Sequence, residues 1–395
     1  MWAVRGKISA DPNIGFAWLR MIGSIIVVVD HSSPLLDPTW LTIFPASWHT
    51  SPGYVALMGF FAMSGYQIQD SWLRDPSWWR FSARRLLRIM PPLVVVLAVT
   101  VFVIGPLVTT WPVDAYFAHE QTWRYLIGTM VLFLMQHHLP GVFDDNPYPW
   151  SVNGSLWTLP MELLGYGIVL VVGVIIALGV SRLVLFPLLA GMFVADGMLR
   201  ATFEYHGAGG SLLLIPIGST VSFLVPFVIG MILRTYRDRI PFKPLLAWLL
   251  LGLWLVLHQT PAARFALAIM ASYGAITLAM HWPWRLERWA PYVHGSYGTY
   301  IWAFPIQQLL IMAGVRKLWL LVLIAVPAAY LAGQLSWRLV EEPTQRLRKH
   351  LATPAARPGP PLLSAPAAPP AARTASAPGV GSAALPPAWQ AGKPR

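Results

Sequence analysis

The sequence predicts an all-α polytopic membrane protein with about ten transmembrane helices. Hydrophobic residues make up 56% of the 395 residues, charged residues make up only 11%, and the mean hydropathy is +0.56. A soluble domain has about 25% charged residues. Several apolar runs approach the roughly 20 residues that a helix needs to cross the hydrocarbon layer, whereas a β-barrel would show alternating segments of about ten.

Charge and cysteine content exclude several classes of function. The net charge of +12 would suit a nucleic-acid partner, but the lysines and arginines fall mostly in short segments between apolar runs. That distribution is typical of membrane proteins, so we expect no nucleic-acid partner. The absence of cysteine excludes disulfides, thiolate metal ligands, a cysteine nucleophile and S-palmitoylation. We expect the first apolar run to remain a span rather than a cleaved signal, because Arg20 interrupts it.

The first predicted span, from Phe16 to Ser33, carries two ionisable residues, Arg20 and His31. The eleven residues from one to the other turn through about 1100° of α-helix and rise about 16 Å, so both side chains share one face. Ionisable groups at membrane depth are costly unless they face a cavity or a partner, which indicates a functional site. The alternative is that both are helix-end groups whose side chains extend to opposite membrane surfaces.

The other predicted spans are apolar runs separated by polar or basic segments. They are residues 53–72, 89–109, 157–180, 183–199, 211–233, 244–257, 263–280, 295–314 and 318–337. Arg5 and Lys7 place the amino terminus on the inside, and an even number of crossings returns the chain to that side. Arg316 and Lys317 then fall outside, against the positive-inside rule.

The densest basic segment follows the second span. It contains Arg74, Arg80, Arg84, Arg85 and Arg88. One interpretation is a cytoplasmic loop that determines the topology. The other is an anion site, because guanidinium groups bind phosphates through paired hydrogen bonds. Pro91 and Pro92 then stand near the start of the third span, where prolines are best tolerated.

The apolar run 125–135 is only eleven residues long, which is short for a crossing. The flanking segments 111–122 and 139–155 contain no Lys or Arg, so both are expected to be external loops. We therefore predict a re-entrant segment or a short half-helix between them. His137 and His138 follow the run, but no metal-ligand spacing supports a metal site.

The chain is predicted to have two parts, a transmembrane domain over residues 1–350 and a disordered Pro/Ala-rich tail over residues 351–395. The tail consists mainly of Ala, Pro, Gly, Ser and Arg. Such a composition buries too little apolar surface to fold, so a solvated cytoplasmic extension is expected.

Several motifs in order along the chain resemble those of the acyltransferase-3 family of membrane-bound carbohydrate O-acyltransferases. They are FAWLRMIGSIIVVVDHS (16–32), FFAMSGYQI (60–68) followed by RFSARRLLRIMPP (80–92), NGSLWTLPMELLGY (153–166), SYGTYIWAFPIQ (296–307) and VEEPTQRL (340–347). Each motif is weak alone, but together they extend over nearly all of the chain except the tail. The transmembrane domain is therefore acyltransferase-3-like by resemblance.

The resemblance implies an enzyme that transfers an acyl group, usually acetyl, from cytoplasmic acetyl-CoA or another acyl-CoA. The implied acceptor is a hydroxyl of a surface polysaccharide, a glycolipid or a lipid-linked glycan precursor. The implied location is the bacterial cytoplasmic (inner) membrane, with both termini cytoplasmic. Acyl-CoA is then a donor substrate rather than a bound cofactor, and the partners are membrane lipids, the glycan acceptor and polysaccharide-assembly proteins.

The resemblance also implies a catalytic set of His31, Arg20 and Glu162. His31 is the expected general base, because a neutral imidazole accepts a proton near neutral pH. Arg20 either orients the thioester or a pyrophosphate, or pairs with a carboxylate. Glu162 is expected on the His31 side, where it bonds acceptor hydroxyls, orients an Arg or His, or has a structural role only.

Further residues are implied for substrate binding. Arg84, Arg85 and Arg88 are expected to bind the phosphates of the donor, and Ser155 and Trp157 are expected to bind substrate. The sequence departs from the family pattern at Ala303, where many members have a histidine after Trp302, and at Met161, where an aromatic or polar residue is frequent. A second histidine beside Trp302 is therefore absent.

A transporter or flippase of lipid-linked saccharide is the alternative function, because it also needs a polar pathway through the helices. Arg20 and His31 can line either kind of site. A structural scaffold is not favoured, since it has little reason to carry ionisable groups at depth.

Overall fold

The computed structural model describes residues 11–37, 44, 48, 50–202, 211–212 and 215–350. Arg5, Lys7 and the predicted disordered tail 351–395 lie outside the described residues, so these predictions stay predictions.

The described part of the chain is almost entirely helical. The α-helices are α1 (Pro12–Leu36), α2 (Pro52–Arg74), α3 (Trp78–Val99), α4 (Gly105–Val108), α5 (Val113–Ala118), α6 (Glu120–Met130), α7 (Leu159–Ala177), α8 (Leu185–Thr202), α9 (Ile217–Thr235), α10 (Pro244–Leu257), α11 (Ala263–Met280), α12 (Ser296–Met312), α13 (Leu318–Ser336) and α14 (Glu342–His350). Gly154–Thr158, Arg182–Val184 and Trp284–Tyr292 are 3₁₀-helical, and Thr100–Ile104 and Trp337–Glu341 are π-helical. Strands β1 (Ser211–Leu212) and β2 (Ile215–Pro216) pair antiparallel.

Each of the ten predicted spans coincides with a helix, namely α1, α2, α3 and α7 to α13. Within the described residues, 7 helical segments are long and apolar enough to cross a membrane by length and composition. The segments outside that group are α2, which is less apolar, and α10 and α12, which have 14 and 17 residues. The predicted fold class, a polytopic all-α membrane protein, is confirmed.

The prediction of a basic loop after the second span is wrong, because α3 already begins at Trp78. Four of the five arginines therefore lie on the first turns of α3, and only Arg74 ends α2. Arginine is a good helix former and its long stem can pack on apolar neighbours, so a basic segment need not be a loop. Pro91 and Pro92 consequently lie in the interior of α3 rather than near its start.

Two other predicted boundaries are wrong. The segment 111–122, predicted as a loop, contains α5 and the start of α6. Residues 211–216, predicted as the start of a span, include the two short strands, and α9 begins after Pro216, whose ring nitrogen carries no hydrogen to donate. The predicted half-helix 125–135 is α-helical only over 125–130, because α6 begins earlier, at Glu120, and ends at Met130; α6 has 11 residues and is about 16 Å long, roughly half of the hydrocarbon thickness.

Helix α2 lies at the centre of the bundle and contacts α1, α7, α9 and α11. Its crossing with α9 uses two glycines: Gly65 faces the carbonyl oxygen of Phe227, and Gly230 faces that of Ala62. A Cβ atom at either glycine would overlap the facing carbonyl group. Small residues therefore set the approach of the two backbones, as is typical of helices packed in membranes.

The same two helices are joined by an ion pair at their ends. Asp70 of α2 accepts a hydrogen bond from Nε of Arg234 of α9 at 2.6 Å and also pairs with Arg74 at 2.7 Å. The ion pair and the glycine crossing together hold α9 against α2, the helix that carries the polar residues described below.

Replacing Gly65 with valine should destabilise the bundle, because the new side chain meets backbone rather than a movable side chain. Overpacking of this kind costs about 1–3 kcal/mol. Gly252→Ala in α10 is the control, since a Cβ atom there meets nothing within 4 Å. We expect G65V to lower the midpoint of thermal unfolding in detergent and G252A to leave it unchanged or raise it. Equal midpoints for wild type and G65V would contradict the close crossing.

Candidate active site

Arg20 of α1 points into the bundle and is hydrogen-bonded to α2. Its Nη2 donates to Oγ of Ser64 at 3.2 Å and to Oε1 of Gln67 at 3.0 Å. The Ser64 hydroxyl in turn donates to Oε1 of Glu162 at 3.5 Å, a long contact. Glu162, near the start of α7, also accepts a hydrogen bond from the Tyr166 hydroxyl at 2.5 Å. One serine thus links the arginine of α1 to the glutamate of α7.

A cavity of about 80 Å³ lies beside this link. We call it the polar cavity; its polar lining consists of Arg20, Ser64, Arg88, Thr158, Glu162, Ser296, Tyr297 and Tyr300. Arg88 of α3 interacts electrostatically with Glu162 and with Glu341, which accepts a hydrogen bond from Ser336 at 3.3 Å. The polar cavity therefore holds two guanidinium groups and one carboxylate, with a second carboxylate within electrostatic range of Arg88.

Only one of the three arginines predicted to bind the donor lines the polar cavity. Arg84 is buried and pairs with Asp75 at 2.7 Å, and Arg80 pairs with the same carboxylate at 2.6 Å. The hydrogen bond from Arg80, followed by that from Arg84, holds the pKa of Asp75 well below its usual range. Arg85 is buried, with its guanidinium 5.9 Å from the ring centre of Phe81. Arg84 thus takes part in joining α2 to α3.

His31 lies further along α1, about 16 Å from Arg20 along the helix axis. Its Nδ1 atom is buried and has no hydrogen-bond partner among the described residues. The edge of the imidazole faces the ring of Phe304 of α12, with ring centres 6.0 Å apart. Phe304 also packs on Tyr148 and closes against Gly154, so the imidazole lies where α1, α12 and the segment before α7 meet.

Helix α12 supports the turn of α1 that carries His31. The side-chain nitrogen of Gln307 donates to the backbone oxygen of Val28 at 2.8 Å and to Oγ of Ser32 at 2.7 Å. One residue before His31, Asp30 accepts a hydrogen bond from Ser51 at 2.7 Å, at the start of α2. The backbone on both sides of His31 is therefore anchored to other helices.

The two ends of the site are connected by α12, which runs parallel to α1. Thr299 lies at the level of Met21, and Gln307 at the level of Val28. Between these levels, the hydroxyls of Thr158 and Tyr300 are 2.9 Å apart. Both residues line the polar cavity, and Tyr300 lies one turn before Phe304 on α12, so this pair lies between the cavity and the level of His31.

Glu162 is expected on the His31 side, but the structure places it beside Arg20. Glu162 shares Ser64 with Arg20 and lines the polar cavity, and His31 does not line it. The reason is that the chain enters α7 through the 3₁₀ turn 154–158 at the level of Phe304 and Tyr300. Glu162 therefore reaches the level of Arg20, which the charge pattern of the sequence does not reveal.

The remaining predicted residues are Ser155, Trp157 and His137. Ser155 is buried and its hydroxyl has no hydrogen-bond partner among the described residues, whereas the Trp157 ring packs on Phe223 with ring centres 5.8 Å apart. Burial, followed by the charge of His138, lowers the pKa of His137. Among the described residues there is no group of His, Asp or Glu that could hold a metal ion.

Sequence reasoning missed several residues of the site. Ser64, Tyr297 and Tyr300 line the polar cavity, and Gln307 supports the His31 turn. A signal was present in α12, where Thr299, Gln307 and Gln308 are polar residues in an otherwise apolar run; all three are 0% exposed. Buried polar residues of this kind need partners, so they indicate where neighbouring helices carry polar groups.

The arrangement suits two chemical tasks at two places. Two guanidinium groups beside a carboxylate can bind a phosphorylated or otherwise anionic group in the polar cavity. A neutral imidazole further along the same helix can accept a proton from a hydroxyl. A substrate that reaches both must extend past Thr158 and Tyr300.

The chain is similar to known proteins over most of its length. A family model described as an acyltransferase domain matches residues 13–338, a range that contains Arg20, His31, Arg88 and Glu162. An O-acetyl transferase of Shigella phage Sf6 is 25% identical over 336 residues, which cover 83% of this chain and 94% of that protein. The nodulation protein 10 of Rhizobium leguminosarum bv. viciae is 28% identical over 390 residues, which cover 87% of this chain and 96% of that protein.

No solved structure matches the chain significantly. The matched range covers most of the chain, and its helices carry the polar cavity and the His31 turn. The chain therefore belongs to the acyltransferase-3 family, and it is a multi-pass membrane acyltransferase.

Proposed function

We propose that the protein transfers an acyl group, acetyl in the simplest case, from acyl-CoA to a hydroxyl of a surface polysaccharide, a glycolipid or a lipid-linked glycan precursor. The proposed location is the bacterial cytoplasmic membrane, with the Arg20 end facing the cytoplasm. The observation that carries the proposal is the alignment on α1 of Arg20, which lines the polar cavity, and His31, whose buried Nδ1 has no hydrogen-bond partner among the described residues.

The donor side of the proposal rests on the polar cavity. Coenzyme A is an anionic molecule that carries phosphates, and guanidinium groups bind phosphates strongly. Arg20 and Arg88 both line the cavity, whereas Arg84 is already paired with Asp75. We therefore assign donor binding to Arg88 and Arg20, with Glu162 holding their orientation through its charge and through Ser64.

The acceptor side rests on the polar groups around His31. Several buried polar atoms at this level of the bundle have no hydrogen-bond partner among the described residues. They are Oδ1 of Asp30, Oγ1 of Thr50, Oγ of Ser151, Oγ of Ser155 and Oε1 of Gln307. Buried polar groups are normally hydrogen-bonded, so unused donors and acceptors gathered at one level suit a ligand that carries many hydroxyls. A carbohydrate has this chemistry.

The proposed reaction uses His31 as the general base. Its imidazole removes the proton from the acceptor hydroxyl while the hydroxyl oxygen attacks the carbonyl carbon of the thioester. The carbon–sulfur bond breaks, and the proton held by the imidazole passes to the sulfur of the leaving coenzyme A. The products are an ester on the glycan and free thiol, with the imidazole neutral again. The acyl end of the donor reaches His31 by extending past Thr158 and Tyr300.

Replacing His31 with glutamine should lower acyl transfer by about a hundredfold or more, because a general base contributes on this scale. The measurement is transfer of labelled acetyl from acetyl-CoA to membrane glycan in vesicles, read as base-labile ester. His138→Gln is the matched control, since His138 is an exposed histidine. Full activity of a correctly inserted H31Q would contradict the assignment of the base. If the wild-type protein formed no ester from acetyl-CoA, the transporter alternative would be favoured instead.

Replacing Arg88 with glutamine should raise the KM for acyl-CoA about tenfold or more, because a hydrogen bond to a charged group contributes about 1.5–3 kcal/mol. Arg74→Gln is the control, because its side chain is 72% exposed and lies outside the polar cavity. The KM for the glycan acceptor should change little in either variant. If R88Q and R74Q raise the donor KM equally, the polar cavity does not bind the donor.

A further inference from the structure

We propose that a second cleft, separate from the polar cavity, binds the headgroup of an anionic phospholipid of the surrounding bilayer. The cleft lies between the connection of α7 to α8 and the end of α9 and has a volume of about 450 Å³. We call it the α8–α9 cleft; it is lined by Ser181, Arg182, Thr235, Tyr236, Asp238 and Arg239, together with one leucine. It shares no lining residue with the polar cavity.

The charges of the α8–α9 cleft favour an anion. Neither Arg182 nor Arg239 forms an ion pair with any of the described residues, so two exposed guanidinium groups face one cleft without a carboxylate partner. Asp238 is the one carboxylate in the lining, and it does not pair with either arginine. By contrast, Arg234 on the preceding turn is held by Asp70 at 2.6 Å.

Polar groups for a phosphate lie beside these charges. The Ser181 hydroxyl lines the cleft and accepts a hydrogen bond from the amide of Leu183 at 3.3 Å. The hydroxyl-bearing side chains of Thr235 and Tyr236 complete the lining. Guanidinium groups beside hydroxyls are common surroundings of a bound phosphate.

The apolar surroundings favour a lipid over a soluble anion. Leu183, the leucine of the cleft lining, is 59% exposed, and Leu178 and Phe186 next to the cleft are 80% and 46% exposed. Only 11% of the span 182–199, which includes most of α8, is buried inside the bundle. This helix therefore presents most of its surface to the hydrocarbon layer. The cleft thus lies at the ends of lipid-facing helices, where a headgroup can bind the arginines while its acyl chains lie along α8. Basic pockets between transmembrane helices bind anionic headgroups in this way.

The test measures lipid retention by the full chain. The protein is reconstituted into nanodiscs of phosphatidylcholine and phosphatidylglycerol. It is then released from the nanodiscs in the mass spectrometer, and the lipids that stay bound to it are counted by native mass spectrometry. We expect wild type to retain phosphatidylglycerol preferentially. The double variant Arg182→Gln, Arg239→Gln should lower that preference about thirtyfold, since each basic residue near an anionic surface contributes about 1 kcal/mol.

The matched control is the double variant Arg285→Gln, Arg288→Gln, which removes the same charge from exposed arginines outside the cleft. Asp238→Asn should act in the opposite sense and strengthen retention, because it removes the carboxylate that faces the headgroup. An equal loss in both double variants would mean a general charge effect and would overturn the site. If millimolar inorganic phosphate displaced phosphatidylglycerol completely, the cleft would bind the phosphate group without the lipid chains, and the lipid assignment would be overturned.

Discussion

The link from Arg20 through Ser64 to Glu162 is the constraint around which the bundle is built. A charged group inside an apolar bundle is costly unless a neighbouring helix supplies a partner. Arg20 on α1 finds its partners on α2, and Glu162 on α7 is reached through the same serine. Two consecutive helices, α1 and α2, and the distant helix α7 must therefore meet at one level, and the polar cavity forms where they meet.

The support of this link comes from close helix packing. Helix α2 can carry Ser64 and Gln67 to Arg20 because Gly65 between them lets α9 approach on the opposite face. The Asp70–Arg234 pair closes the same crossing at its end. The position of Ser64 and Gln67 therefore depends on the Gly65 crossing, since a shift of α2 against α9 would move these partners of Arg20.

The His31 end is organised by α12 rather than by α2 alone. Gln307 holds the backbone of α1 one turn before His31, and Gln308 binds the backbone oxygens of Tyr148 and Ser151 at 2.8 and 2.9 Å. Adjacent glutamines therefore join α1 and the irregular segment after α6 to one helix. Many family members have a histidine at the position of Ala303, which is buried here beside Phe304. Among the described residues, His31 is therefore the one imidazole at this turn.

The sequence by itself determined the membrane class, the ten helical spans, the family and the alignment of Arg20 with His31, because apolar runs and helical spacing are local properties of the chain. It did not reveal that the basic segment is helical, since a charge cluster predicts sidedness without predicting secondary structure. Only the tertiary structure decided which arginine lines the cavity, because Arg84 and Arg88 differ in their partners and not in their residue type. The position of Glu162 beside Arg20 was likewise decided by how α7 enters the bundle, a contact between residues more than 90 positions apart that no local pattern specifies.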